Sequence, residues 1–189
     1  YKLSKYDIEG NKLNEFEDYK SGKITYVDAT DPLKTLVYYQ DFMVLKVLDR
    51  TLSEISSYSL NDLGYYSITA LAHSRDNNFW VFDNANFKLK KIDENGVKLY
   101  ESENFNMLFN ETVQPIQIID FERNIYLNDP KKGIYIFDRF GAYQKKAPLQ
   151  NVENVQIGVT TLAVKDIKKL PALFGEADVV RTLLLNPGV

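Results

Sequence analysis

The sequence predicts a mainly β chain: a partial β-propeller of about three and a half four-stranded blades over residues 1–148, then a short strand–helix tail over residues 149–189. Three observations predict it. Short runs alternate apolar and polar residues, the period of a half-buried strand. Clusters of Asn, Asp and Gly punctuate the runs, as tight turns require. The whole pattern recurs: Asp7, Asp49, Asp93 and Asp138 each close one run and open one turn, at spacings of 42, 44 and 45 residues. A period of about 40–50 residues is the length of one propeller blade.

Each unit reads in the same order. KLSKYDIEGNKL, around Asp7, gives the outer two strands of a preceding blade. Residues 24–58 hold four runs, with Asp31-Pro32 in the first turn and Gln40-Asp41 in the second. Residues 68–101 are the clearest: ITALAH, NFWVFD, FKLKKID and VKLYE. The last two are joined by Glu94-Asn95-Gly96, where glycine supplies the positive φ of a hairpin turn. Residues 116–147 repeat the plan, with Glu122-Arg123 and residues 129–133 as turns. The repeated aspartate is assigned to turn capping, because a carboxylate at a strand end accepts backbone N–H groups two residues on. Calcium would need about six to eight converging oxygens, which one Asp per blade does not supply. Closed propellers have about four to eight blades, so this stretch is expected to be a portion of a larger ring.

After Leu149 the texture changes, and Phe174 is the one aromatic residue in 150–189. Residues 154–164 alternate as a strand. Pro171 suits the first turn of a helix, where its missing N–H costs nothing. Leu173, Phe174, Ala177, Val180, Leu183 and Leu184 then keep a helical period over 172–185, until Asn186-Pro187-Gly188 stops it.

Composition bounds the function. With 44% hydrophobic and 13% aromatic residues and a net charge of −3, the 189 residues can fill a core, so disorder is excluded as the main state. No apolar run approaches the roughly 18–20 residues of a membrane helix, which predicts no helical span. The absence of cysteine excludes disulfides, thiolate metal sites and cysteine nucleophiles. The single histidine, His73, excludes a multi-histidine centre within one chain. With 23 basic against 26 acidic residues, there is no electrostatic case for nucleic acid. The chain opens on Tyr1, with no initiator methionine and no export segment ahead of it, and reads as a mature form or part of a longer protein.

By its period and turn chemistry, the stretch 1–148 resembles the six-bladed, NHL-like propeller proteins. The tail carries a more specific likeness. Ile167, Leu170-Pro171, Gly175-Glu176, Asp178-Val179, Leu183 and Pro187-Gly188-Val189 resemble the opening of the plug domain of TonB-dependent outer-membrane receptors. The likeness is closest in the branch that imports glycans and peptides with a surface lipoprotein. It implies a receptor or associated lipoprotein as partner, at the outer membrane or periplasm of a Gram-negative cell. The barrel that follows the plug in that family has no counterpart in these residues.

Three functions follow as expectations. The first is a non-enzymatic protein-binding or scaffolding module of a TonB-dependent uptake system, with no cofactor. Tyr38, Tyr39, Tyr65 and Tyr66 can rim its partner-binding face and Trp80 can stack a ligand, although the same residues can equally fill the space between blades. The second is a hydrolase or lyase with a metal in the central channel, as some NHL-like propellers are. Asp28, His73 and Asp120 fall at similar places in successive inner strands and are its candidate residues. The third is a fragment of a receptor, through the plug-like tail.

Overall fold

The structure is a computed structural model and describes residues 1–157 together with the strands Thr161–Asp166 and Val180–Leu184. The chain opens with an antiparallel pair, β1 (Lys2–Tyr6) and β2 (Lys12–Glu17). Three four-stranded antiparallel blades follow, each ordered as in the sequence. Blade 1 is β3 (Tyr26–Asp28), β4 (Lys34–Tyr39), β5 (Val44–Asp49) and β6 (Glu54–Ser59). Blade 2 is β7 (Ile68–His73), β8 (Phe79–Asp83), β9 (Lys88–Ile92) and β10 (Lys98–Glu101). Blade 3 is β11 (Gln117–Phe121), β12 (Asn124–Asp129), β13 (Gly133–Asp138) and β14 (Tyr143–Ala147). A further sheet pairs β15 (Val152–Ile157), β16 (Thr161–Asp166) and β17 (Val180–Leu184). The mainly β, partial-propeller architecture is therefore the fold. Among the described residues, no helix is long and apolar enough to cross a membrane.

The repeated aspartates cap turns, as expected. Asp49 Oδ1 accepts the N–H groups of Thr51 at 2.7 Å and Ser53 at 2.9 Å. Asp93 Oδ1 does the same for Asn95 and Val97, and Asp138 Oδ1 for Phe140 and Ala142. Asp7 holds Asn11 N–H at 2.7 Å. In all four, the residue three places on from the aspartate has positive φ: Gly10, Leu52, Gly96 and Gly141. A bulge interrupts the pairing of the two strands joined by each of these turns.

The core follows from the two-residue period of a strand, which sends alternate side chains to opposite faces. In β4, Leu36 and Tyr38 pack towards blade 2, while Val37 and Tyr39 pack with Leu3 and Phe16 of the first pair. In β8, Phe79 and Val81 meet blade 1, while Trp80 and Phe82 meet blade 3. In β13, Tyr135 and Phe137 face blade 2, while Ile134 and Ile136 face Val152 and Val155 of β15. Each blade is thus apolar on both faces, and the stack continues past Pro148 into β15. Between blades 2 and 3 the connection adds a short helix, α1 (Phe105–Phe109), capped by Asn104, whose side chain accepts from Asn106 and Met107 N–H. Its Phe105 is fully buried, stacked on Phe137 and edge-on to Phe82.

The tail departs from expectation where it is described. Residues 154–164 were expected as one strand; they divide between β15 and β16, which pair as a hairpin. Residues 180–184, expected within a helix, form β17 against β16. Val180 and Thr182 are β-branched and favour a strand, and pairing with an open sheet edge satisfies backbone groups that a short helix would leave free. The rest of the expected helix, and Ile167, Leu170, Pro171, Gly175, Glu176, Asp178, Pro187 and Gly188 of the plug-like motif, lie outside the described residues.

Candidate functional site

Residues of the inner strands β3, β7, β11 and β15 line an open cavity of about 770 Å³. Asp28, His73 and Asp120, named from their parallel positions in the sequence, all line it. Beyond the ends of β3 and β7, the turn residues Asp31 and Arg75 also line it.

Bringing these residues together does not make them a reacting set. Asp28 is buried, and both its oxygens are engaged. Oδ1 accepts from the Thr30 N–H at 3.0 Å and hydroxyl at 2.7 Å, and Oδ2 accepts from His73 N–H at 2.9 Å. Asp120 Oδ2 accepts from Ser74 Oγ at 3.1 Å and Trp80 Nε1 at 3.0 Å. Asp28 therefore ties blade 1 to blade 2, and Asp120 ties blade 3 to blade 2. The Ser74 hydroxyl donates to Asp120 rather than to His73, so no nucleophile–base pair forms. Among the described residues, no group of three or more His, Asp or Glu side chains converges to hold a metal. In this structure Asp28 and Asp120 act as latches between blades.

His73 is a wall residue. Its Nδ1 lies 3.6 Å from Asp31 Oδ2, and its ring stands edge-on to Phe79. Burial pushes its pKa below the ordinary histidine value, against the pull of Asp31 and then Asp28.

The expected partner-binding aromatics are mostly core. Tyr38 and Trp80 are 1% and 0% exposed, Tyr39 is fully buried, and Tyr65 nearly so. Tyr38 donates its hydroxyl to Ile68 O at 2.9 Å and Tyr65 to Gly96 O at 3.0 Å, so both phenols serve contacts between blades. Of the five, Tyr66 alone is exposed, at 73%. The adjacent Tyr38 and Tyr39 point to opposite faces of β4, and both faces are covered.

Among the lining residues that sequence reasoning missed, three bear on the cavity's chemistry. Asp31 and Arg75 sit in the turns just beyond Asp28 and His73, and Phe121 follows Asp120 at the end of β11. The Arg75 guanidinium lies 5.7 Å from the Phe121 ring centroid, within cation–π range. The available signal was positional: these residues lie at or just beyond the ends of β3, β7 and β11.

No protein-family model and no curated protein sequence matches this chain. Solved structures do. The computationally designed Ika4 protein aligns over 94% of this chain and 99% of its own, at 15% identity and a TM-score of 0.58. The WD40 β-propeller domain of Doa1 aligns over 82% of this chain and 51% of its own, at 15% identity and a TM-score of 0.60. Virginiamycin B lyase from Staphylococcus aureus aligns over 86% of this chain and 55% of its own, at 10% identity and a TM-score of 0.60. This chain thus spans about half the length of those last two. None of these similarities bears on the plug-like motif of the tail. What they share with this chain is architecture, and the chain is a β-propeller of at least three full blades.

Proposed function

We propose that this chain is a non-enzymatic binding or scaffolding module. The observation that carries the reading is the use of Asp28 and Asp120. Both oxygens of Asp28 and one oxygen of Asp120, the carboxylates best placed for acid–base or metal chemistry in the channel, are engaged, and each carboxylate holds neighbouring blades together. What remains is a rigid stack that presents turns and connections to a partner, a use propellers share with catalysis. The lyase among the similar structures keeps an enzymatic reading in view, and stoichiometric metal binding would favour it. Incubation with divalent metals followed by desalting is expected to leave less than about 0.1 equivalent bound. Retention of a full equivalent would overturn the non-enzymatic reading.

The partner we propose is a component of a TonB-dependent outer-membrane uptake system. This rests on the resemblance of residues 167–189 alone. Immobilised chain, probed with detergent-solubilised outer-membrane protein, is expected to retain a TonB-dependent receptor or its lipoprotein, identified by mass spectrometry. Retention of neither would sink the outer-membrane assignment and leave the binding-module reading to stand on the latches.

A further inference from the structure

The cavity is lined by charged groups that the fold uses only in part. Arg75 is exposed, rests against Phe121, and forms no ion pair with any described residue. Asp31 Oδ1 caps its own turn by accepting Leu33 N–H at 2.8 Å, while its Oδ2 lies 3.6 Å from His73 Nδ1 and accepts no hydrogen bond from a described residue. Asp120 spends Oδ2 on Ser74 and Trp80, and among the described residues its Oδ1 accepts nothing. One guanidinium fork and two carboxylate oxygens of opposite sign therefore line the same space without neutralising one another. The cavity, at about 770 Å³, lies within the roughly 300–1,000 Å³ of small-ligand sites.

We propose that this cavity binds a short zwitterionic peptide, its carboxylate on Arg75 and its ammonium on Asp31 and Asp120. A guanidinium offers paired N–H groups that match a carboxylate, and stacking on an aromatic ring pre-organises the fork. An ammonium supplies the donors that free carboxylate oxygens lack. A ligand with only one of these charges would leave the other half of the site unpaired. The volume exceeds the need of a single amino acid, and the amides of Asn154 and Gln156 on β15 add the polar lining that peptide bonds use. The proposed site draws on none of residues 167–189, so it stands or falls independently of the receptor assignment.

Trp80 provides the readout. It is the only tryptophan in the chain, and its indole N–H donates to Asp120, so its single proton resonance reports on that carboxylate. Trialanine is expected to shift this resonance in a saturable way, with a Kd on the order of 1 mM or tighter. N-acetyl-trialanine amide, which lacks both charges, is expected not to shift it. Arg75→Gln and Asp31→Asn are each expected to weaken trialanine binding about tenfold or more. The asparagine keeps the oxygen that caps Leu33, and unchanged melting temperatures would show that both variants stay folded. No shift with trialanine up to about 10 mM overturns the proposal. Equal binding of the capped peptide, or wild-type affinity in either folded variant, overturns it as well.

Discussion

Leu52 shows how two opposed terms are settled at one residue. At φ 60 it fills the turn position that glycine holds in the three sister units, and a side chain there costs about 1–2 kcal/mol. Its side chain packs with Val37, Tyr39 and Leu48 against the first strand pair, and it is 6% exposed. Burying a leucine returns about 1.5–3 kcal/mol, so packing wins. Leu52→Gly is expected to lower stability by about 1 kcal/mol despite relaxing the backbone, read as a lower urea midpoint at unchanged slope. A higher midpoint would mean that strain dominates. Asp28→Ala acts through hydrogen bonds instead: it strands the buried His73 N–H and should cost about 2 kcal/mol in the same assay. Glu111 adds a pH dependence. Its carboxylate accepts from Lys146 at 2.7 Å and Tyr135 at 2.6 Å and pairs with Lys132 at 2.9 Å. Lys146, then Tyr135 and Lys132, hold its pKa at about 2, against an ordinary 4.5. A depressed folded-state pKa contributes stability above the unfolded value, and that contribution is lost as pH falls through the folded one. Melting temperature should therefore drop between about pH 4.5 and 2, and Glu111→Gln should remove part of that drop. An identical acid limb in the variant would show that other carboxylates carry it.

At the scale of elements, α1 is small but anchors an interface. Phe105 contacts Phe82 of blade 2 and Phe137 of blade 3, whereas Met107 on the same helix is 87% exposed. Phe105→Ala should cost about 3–5 kcal/mol, and Met107→Ala less than about 0.5 kcal/mol. Comparable losses would mean that the helix is held by something other than its buried ring. This helix also marks a limit of what the sequence reveals. The blades are legible because strand period and turn capping are local: alternating apolar residues and Asp49, Asp93 and Asp138 announce themselves within a few positions. Residues 102–110 carry no comparable pattern over a five-residue helix. In the tail, the apolar spacing of residues 172–185 fits a helix as well as a strand, and pairing with β16 decides residues 180–184. The cavity was half legible. Asp28, His73 and Asp120 could be aligned by repeat position, but whether a carboxylate is free or engaged depends on a donor about 40 residues away. Tyr38 and Trp80 illustrate the same point for aromatics, because sequence does not show whether a neighbouring blade covers them.

Across the whole molecule, the apolar clusters among the described residues join sheets that are adjacent in the stack, so protection should follow position. Blade 2 is covered on both sides. Phe79 and Val81 pack on blade 1 and Trp80 and Phe82 on blade 3, and Asp28 and Asp120 latch it from both directions. The β1–β2 pair meets blade 1 through the partly buried Leu3 and Phe16, and Lys46 of blade 1 adds an ion pair to Asp18, just past β2, at 2.8 Å. An ion pair of this kind does not replace apolar burial, because desolvating its charges offsets much of their attraction. Local opening free energy should therefore rise from the first pair towards blade 2. In hydrogen exchange read by mass spectrometry, peptides covering β8 are expected to exchange last and those covering β1–β2 first. Lys46→Met should speed exchange at β1–β2 while leaving β8 unchanged. If β1–β2 were as protected as β8, the stack would open only as one cooperative unit. The nearest-neighbour account would then be wrong, and the cavity between the inner strands would be rigid throughout.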